Sequence, residues 1–376
     1  MRRPVLVSSL LAGSLAACGY FLLAAAAGAQ VSGTIKPAGR EPTLTIGGLL
    51  QVQADFGDRG DPRFANDRFY LRRARLNATG KFLEELDFRL EMDLTGNLGN
   101  ATGLRAQLTD GFINWNRYRE ANVRVGQFKT GFGFEQLYPD PRLLTIERTL
   151  VNDRLTLSRQ IGVQVGGELL DQRVTYAVGA FNGNGVNNSA NDDNRFLQVG
   201  RLTALPWRGS MFGGPATWSV GVDGYSSHDA NIAPGTEFGF DSTPATADRD
   251  NIFAGQRDGV GVDTQFVSGR FELWVEGLKT TWKPTSLKPR SKVESEGWYV
   301  QAGAFVIPQR FQVVLKSESF DPRKDAALDR LSTETLGLNW YLKGHDLKLM
   351  ADYLRVHSGR EPKEQDKLLA RLQVIF

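Results

Sequence analysis

Hydrophobic and polar residues alternate in short runs along most of the chain, beginning near residue 44. In the stretch DFRLEMDL (87–94), every second residue is hydrophobic and every residue between them is charged. An alternation of period two predicts β-strands. Charged side chains along one strand face are costly in a dry core, but they can line a water-filled lumen while the hydrophobic side chains face lipid. The pattern therefore predicts strands with a polar inner face and an apolar outer face.

Sixteen runs of this kind can be counted, and the connections between them alternate in length. The runs lie near 43–56, 68–79, 87–94, 107–117, 121–129, 159–168, 172–181, 195–205, 216–227, 258–268, 270–282, 295–307, 309–319, 333–342, 346–357 and 366–376. Long connections cover 57–67, 96–106, 130–158, 182–194, 228–257, 283–294, 320–332 and 358–365. Short connections lie at 80–84, 118–120, 169–171, 206–215, 269, 308 and 343–345.

This layout predicts the fold class. Outer-membrane barrels have an even number of strands of about ten residues, with tight turns at one end and long loops at the other. We therefore predict an all-β protein, a transmembrane antiparallel β-barrel of about 16 strands. After residue 29 no stretch approaches eighteen apolar residues, so membrane insertion by helices is not expected.

The first 29 residues have a different pattern, typical of an export signal. Arg2 and Arg3 precede an apolar run that ends at Ala27, and the sequence AGA follows before Gln30. We interpret residues 1–29 as a signal peptide, 30–42 as a short periplasmic leader and 43–376 as the barrel. An uncleaved helical anchor and a lipoprotein site at Cys18 are the alternatives to cleavage after Ala29.

Charge and composition narrow the function. Removal of the signal peptide lowers the formal net charge from +3 to +1, because Arg2 and Arg3 leave with it. A basic field for nucleic acid is therefore not expected. Cys18 is the only cysteine, so a mature chain would hold no disulfide and no thiolate metal site.

The chain ends in LLARLQVIF, an alternating strand with a terminal phenylalanine. This ending resembles outer-membrane β-barrels, whose last strand and terminal aromatic residue serve as the assembly signal. The resemblance implies an outer-membrane location in a Gram-negative-type bacterium, contact with membrane lipid and recognition of Phe376 by the barrel-assembly machinery. A soluble edge strand that ends on phenylalanine by chance is the alternative.

Several blocks resemble the phosphate-selective porin O and P family. The specific ones are GQFKTGFGFE and ERTL, and the likeness continues in the family's order through GWYVQAGAF and GLNWYL to LQVIF. The resemblance implies a channel that is usually a homotrimer, with loop three (130–158) folded into the lumen as a constriction. It also implies passive diffusion of small hydrophilic solutes, anions such as phosphate among them.

The resemblance suggests pore-lining or anion-binding roles for six residues: Arg72, Arg73, Arg75, Asp110, Lys129 and Arg148. Cationic rings select anions, and neighbouring carboxylates keep the binding weak enough for release. Strand periodicity agrees for Arg73 and Arg75, which share a polar face. It places Arg72 on the opposite face, and it leaves the direction of Lys129 open.

The chain also departs from the family pattern. Gln136 stands where phosphate-selective members place a lysine, and the stretch 226–259 around the loop has six acidic residues but only two arginines, Arg249 and Arg257. An acidic vestibule would repel phosphate. A weakly selective general porin is therefore one alternative, and a barrel whose surface loops serve binding or adhesion is another. A secreted soluble β-protein is the third.

Enzymatic chemistry is not expected from this sequence. The three histidines, His228, His345 and His357, lie on different predicted connections and form no recognised catalytic motif. The Asn-rich loop near 182–194 lacks the spacing of an EF-hand, so a solvated loop is favoured over a calcium site. No cofactor and no metal are predicted.

Overall fold

A computed structural model describes residues 43–57, 67–95, 105–240, 253–285, 292–326, 329–359 and 361–376. The predicted signal peptide and leader (1–42) lie outside the described residues. Sixteen strands are present in the described part of the chain. They are β1 Thr43–Gly57, β2 Arg68–Leu83, β3 Leu86–Asp93, β4 Gln107–Trp115, β5 Asn122–Lys129, β6 Arg159–Leu169, β7 Val174–Phe181, β8 Leu197–Met211, β9 Gly214–Ile232, β10 Phe253–Ser268, β11 Phe271–Pro284, β12 Val293–Ile307, β13 Phe311–Asp321, β14 Leu331–Lys343, β15 Leu347–Ser358 and β16 Glu361–Ile375.

The strands form one closed barrel in which each strand pairs antiparallel with its sequence neighbours and β1 pairs with β16. The fold class and the strand number are therefore confirmed. Several predicted connections were too long; for example, β16 already begins at Glu361, within the predicted connection 358–365. Residues 206–215 shrink to the two-residue turn 212–213, and β9 and β10 extend into the predicted loop 228–257. Strands continue beyond the bilayer into water, where the outer face no longer needs apolar residues, so the hydrophobic pattern ends before the strand does.

Burial in the barrel is reversed with respect to a soluble protein. On β14, the inward-facing Thr333, Thr335 and Asn339 are buried, whereas the outward-facing Leu338 and Trp340 are 39% and 55% exposed. The same alternation recurs on β12 and β15. Exposed apolar side chains on every second position suit contact with lipid, so the outer surface is the predicted membrane face.

Two short helices lie in the connection between β5 and β6: α1 Phe134–Leu137 and α2 Leu150–Leu155. Single 3₁₀ turns occur at Asp140–Arg142 in the same loop and at Thr236–Phe238 after β9. Within the described ranges, no helix has the length and apolar character needed to cross a membrane.

An apolar cluster fills part of the barrel interior at the long-loop end. It joins side chains of α2 and of the segment after β9 to strand residues, namely Leu150, Val151, Leu155, Phe238, Phe240, Phe253, Trp282, Val293 and Phe320. The strand residues of this cluster are buried because loop residues cover them from inside the barrel. Protein therefore fills part of the lumen at this end of the barrel.

The terminal residue closes the barrel seam. Phe376 donates its backbone N–H to the Gly48 carbonyl (3.1 Å), and Gly48 donates to the Phe376 carbonyl (2.7 Å). The phenyl ring lies directly against Gly48, where an added Cβ would stand 2.4 Å from the ring Cζ. A glycine at this position lets the terminal ring rest on β1.

Candidate functional site

Loop three (130–158) lies against the inner wall of the barrel and is held there by its own backbone groups. Wall carboxylates accept hydrogen bonds from loop N–H groups: Asp352 from Ile146 (2.6 Å), Glu318 from Leu150 (2.7 Å), and Glu276 from Phe134 (2.5 Å) and Glu135 (3.1 Å). A loop inside a barrel has no strand partner, so its buried N–H groups need side-chain acceptors. Acidic wall residues thus help to fix the path of loop three.

Wall cations and amides bind the loop carbonyl groups in the same way. Lys348 donates to the Leu143 carbonyl (3.1 Å), and Asn339 donates to the Leu144 carbonyl (2.7 Å). Lys316 donates to the Glu147 carbonyl (3.2 Å). Because β13, β14 and β15 all contribute such groups, the loop crosses the lumen and reaches the wall opposite its own strands.

Arg148 braces loop three from within. Its guanidinium donates to the carbonyl groups of Glu135 (2.9 Å) and Tyr138 (2.7 Å) and pairs with the Asp140 carboxylate. Thr149 caps α2 by accepting from the Asn152 N–H (3.1 Å). Arg148 is 8% exposed, so the geometry gives it a loop-folding role. Its direct contact with a permeating anion remains a prediction.

A β-bulge brings Arg72 and Arg73 onto the same side of β2. The pairing of β1 with β2 shifts between Gln51 and Val52, and Arg72 is the extra residue. Arg72 binds Glu147 of loop three through two bonds of 2.7 and 3.0 Å, and Arg73 donates to Gln51 (2.8 Å). The expectation that Arg72 faces away from the lumen was wrong, because period two is interrupted at the bulge.

Asp140 is the point at which the predicted arginines meet. Arg75 lies 2.6 Å from it and Arg73 lies 3.3 Å from it, and Arg148 pairs with the same carboxylate. Burial raises the pKa of Asp140, but the guanidinium groups of Arg148, Arg73 and Arg75 hold it well below its usual value. The sequence indicated the three cations, whereas their shared acid was not among the predicted site residues.

Beneath loop three, at the short-turn end, the lumen has a cavity of about 840 Å³. Three predicted residues, Arg75, Asp110 and Lys129, line it, whereas Arg72, Arg73 and Arg148 are not part of its wall. Asp110 is bound by Arg159 at 2.7 Å, and Lys129 donates to the Gln136 carbonyl at 2.7 Å. The six predicted residues therefore divide into Arg72, Arg73 and Arg148, which bind loop three away from the cavity, and Arg75, Asp110 and Lys129, which line the cavity.

The charges around this cavity are unequal. Counted over side chains, the wall has seven cations and four carboxylates, an excess of three positive side-chain charges: Arg75, Lys81, Arg89, Arg124, Lys129, Arg142 and Arg159 against Asp87, Glu91, Asp110 and Asp140. Arg142 belongs to loop three. Within the described part of the chain, its side chain makes no hydrogen bond or ion pair, although Lys129 and Arg159 do. A positive potential in this space would attract anions.

Four cavity arginines were missed as site residues: Arg89, Arg124, Arg142 and Arg159. Arg89 and Arg124 had a usable signal, because each alternates with apolar neighbours on its strand. Lys129 also lines the cavity, although period two puts it on the face opposite Arg124. The alternation fails between them because Gly126 takes φ 130°, a conformation that side-chain-bearing residues rarely adopt.

Acids at the long-loop end are partly neutralised. Asp229 pairs with Arg257 (3.0 Å), Glu237 with Arg154 (2.8 Å) and Asp258 with Lys283 (2.9 Å). The remaining charged residues of the predicted acidic loop, Asp241, Asp248, Arg249 and Asp250, lie outside the described residues. Three of the six acids are therefore paired with cations, and this pairing reduces the repulsion of anions that we expected from the loop.

The three histidines lie in separate places. His228 pairs with Asp193 across the long-loop end, and His357 lies 3.5 Å from Glu364. His345 lies in the turn before β15, where its Nδ1 is 3.1 Å from the Pro141 carbonyl oxygen. Burial lowers the pKa of His345 to about 3, so this ring is neutral at physiological pH.

Comparison with known proteins identifies the family. The model of the family described as phosphate-selective porin O and P matches residues 48–376. The chain belongs to this family. It is thus an outer-membrane porin, and the predicted location is confirmed. A protein of Aquifex aeolicus (strain VF5), described as uncharacterized, is 23% identical over 91% of this chain and 89% of its own length.

Solved structures show that the porin shares its fold with other outer-membrane barrels. The anion-selective porin from Comamonas acidovorans is 14% identical with a TM-score of 0.60, over 89% of this chain and 100% of that one. The outer-membrane channel DcaP of Acinetobacter baumannii is 14% identical with a TM-score of 0.58, over 92% and 100%. OmpT of Vibrio cholerae, described as a trimer form, is 11% identical with a TM-score of 0.58, over 90% and 100%.

Proposed function

We propose that this porin lets small anions diffuse passively across the outer membrane, with a modest preference over cations. The observation that carries the proposal is the excess of three positive side-chain charges around the cavity beneath loop three. Between walls of low dielectric constant, such an excess concentrates anions and depletes cations. The porin from Comamonas acidovorans that shares this fold is described as anion-selective, which agrees with this proposal.

The pairing of the arginines around loop three argues for modest rather than strong selectivity. Asp140 and Glu147 already bind Arg72, Arg73 and Arg148, so these cations contribute little net charge to the passage. A multiply charged phosphate would therefore not be held tightly at loop three. A general porin of weak selectivity is the second candidate function, and this same pairing favours it.

The proposal includes assembly and export. We expect a homotrimer, supported by the trimer form described for OmpT, with apolar outer strand faces against lipid. We also propose that residues 1–29 are removed on export and that Phe376 is the residue read by the barrel-assembly machinery.

The decisive experiment is the reversal potential of the purified porin in a planar bilayer under a KCl gradient. We expect a sign that indicates a chloride preference. Replacing Arg142 with glutamine should lower the anion-to-cation permeability ratio by about twofold to fivefold, the effect of one charge acting at several ångströms through water. Phosphate added afterwards should reduce the current only weakly.

Arg355→Gln is the matched control, because Arg355 lies at the long-loop end of β15 on the exposed face. This variant loses the same charge far from the cavity and should retain the wild-type reversal potential. A cation-selective wild type, or equal ratios for the two variants, would contradict the proposal.

A further inference from the structure

The cavity beneath loop three has apolar side chains among its cations. Leu49, Phe88, Phe112, Phe128, Leu137 and Ile375 contribute to the same wall as Arg75, Arg159 and Lys129. A passage for small inorganic ions needs polar groups and water, and an apolar wall gives such ions nothing to bind. The composition resembles a small-molecule site, in which apolar surface surrounds a few placed charges.

Arg124 and two phenylalanines form the most defined part of this wall. The Arg124 guanidinium lies 4.4 Å from the ring centroid of Phe112 and 5.4 Å from that of Phe128. The two rings meet nearly edge to face, with centroids 6.0 Å apart and planes at 77°. A guanidinium over a ring keeps its charge while its flat surface lies against apolar carbon. A cationic plane and aromatic edges thus occur side by side.

We propose that the preferred permeants of this cavity are organic anions with an apolar body, in particular aromatic monocarboxylates of about the size of benzoate. This inference rests on the proposed function as an anion-preferring channel. The carboxylate of such a solute meets the cations of the wall, and its ring packs beside Phe112 and Arg124. The cavity volume of about 840 Å³ is sufficient for such a solute together with water.

The charge arrangement favours this class over phosphate. Asp110, Glu91 and Asp140 lie among the cavity cations, and Asp110 and Asp140 form ion pairs with Arg159 and Arg75. A dianion such as phosphate binds more tightly where several cations without neighbouring acids lie close together. This wall does not bring such cations together at one point. A monocarboxylate requires fewer charge-assisted hydrogen bonds, and contact of its ring with the apolar wall adds a second source of affinity.

The test measures how added solutes block the KCl current of the purified porin in planar bilayers. Benzoate, acetate and phosphate are compared, because acetate has the carboxylate without the ring. We expect a half-blocking concentration for benzoate about tenfold below that for acetate, in keeping with partial burial of one ring. The reversal potential is recorded in the same membranes, so that selectivity and recognition of the ring are measured separately.

Variants locate the effect. Phe112→Ala should bring the half-blocking concentration of benzoate to within about threefold of that of acetate. Phe112→Leu, which keeps apolar volume, should give an intermediate value and guards against a folding defect. Arg124→Lys keeps the charge but loses the planar group, so it should weaken benzoate block. Phe69→Ala is the control, because Phe69 is 77% exposed on the outer face.

The outcomes separate the two proposals. An anion-selective porin that is blocked equally by benzoate and acetate overturns the present inference and leaves the proposed function intact. A cation-selective porin overturns both. A benzoate effect that survives in Phe112→Ala and Arg124→Lys overturns the assignment to this wall.

Discussion

Asp140 forms ion pairs with three arginines from two parts of the chain, so the position of all three depends on this one carboxylate. Arg73 and Arg75 come from β2, and Arg148 comes from loop three itself. Replacing Asp140 with asparagine leaves these guanidinium groups without their shared charge, which should destabilise the docked loop by about 3 kcal/mol. It should also raise the anion-to-cation permeability ratio, because one negative charge leaves the cavity wall. Reversal potential and thermal denaturation measure the two effects.

Glu364→Gln is the matched control for this change. Glu364 is 55% exposed on its side chain and contacts Arg355 at the long-loop end, far from loop three. Its loss removes the same charge without touching the docked loop. An Asp140→Asn porin with unchanged stability and unchanged permeability ratio would show that the three arginines do not depend on this carboxylate.

At the same scale, the residues show what the sequence could and could not predict. Alternation identified Arg73 and Arg75 as lumen-facing, and their contacts with Asp140 agree with that direction. It failed for Arg72, because a bulge interrupts period two, and it left the direction of Lys129 open, where Gly126 with φ 130° interrupts the alternation. Neither the bulge nor the conformation of Gly126 changes the hydrophobic pattern of the sequence. The ion partners were beyond prediction, since Asp140 meets β2 only through the path that loop three takes.

At the scale of elements, the segment after β9 is anchored to loop three. Phe238 and Phe240 lie against Trp282 with centroid distances of 5.2 and 5.5 Å, and Glu237 pairs with Arg154 of α2. Phe238→Ala should leave a cavity in this cluster and cost about 3 to 5 kcal/mol of local stability. Loop three should then move more, so we expect noisier single-channel current and faster proteolysis from the long-loop side.

Phe196→Ala provides the comparison for that experiment. Phe196 lies just before β8, at the same end of the barrel, but it is 59% exposed and lies outside the apolar cluster. Quiet current in both variants would mean that loop three is held by its wall hydrogen bonds alone. One feature of the sequence pointed to this contact: the segment TEFGF has two aromatic residues within an otherwise polar connection.

At the scale of the whole molecule, the fold was more predictable than the site. A lipid-facing surface demands apolar residues at every second position of every strand, so the constraint is repeated sixteen times. The repeated pattern made the strands countable, and their even number predicted a closed barrel. The lumen has no such repeated constraint. Its contents depend on one loop, whose position is set by scattered hydrogen bonds to β11, β13, β14 and β15.

Barrel closure itself can be tested at the seam between β1 and β16. Gly48→Ala would place a methyl group against the Phe376 ring, which would have to leave the strand. We expect a smaller fraction of folded barrel after refolding and a lower melting temperature, as for Phe376→Ala. Because both changes remove the same contact, the double variant should be no worse than either single variant. Heat-dependent gel mobility of the refolded porin measures the folded fraction.

Gly200→Ala supplies the control for this cycle, since Gly200 also lies within a strand but has its nearest atom 4.0 Å from an added Cβ. Gly200→Ala therefore measures any loss of stability that alanine causes in a strand when no steric clash is present. Additive losses in the Gly48 and Phe376 double variant would contradict a shared contact, and the terminal ring would then act elsewhere. Non-additive losses, with a silent Gly200→Ala, would show that the terminal phenylalanine contributes to the stability of the finished barrel through its contact with β1.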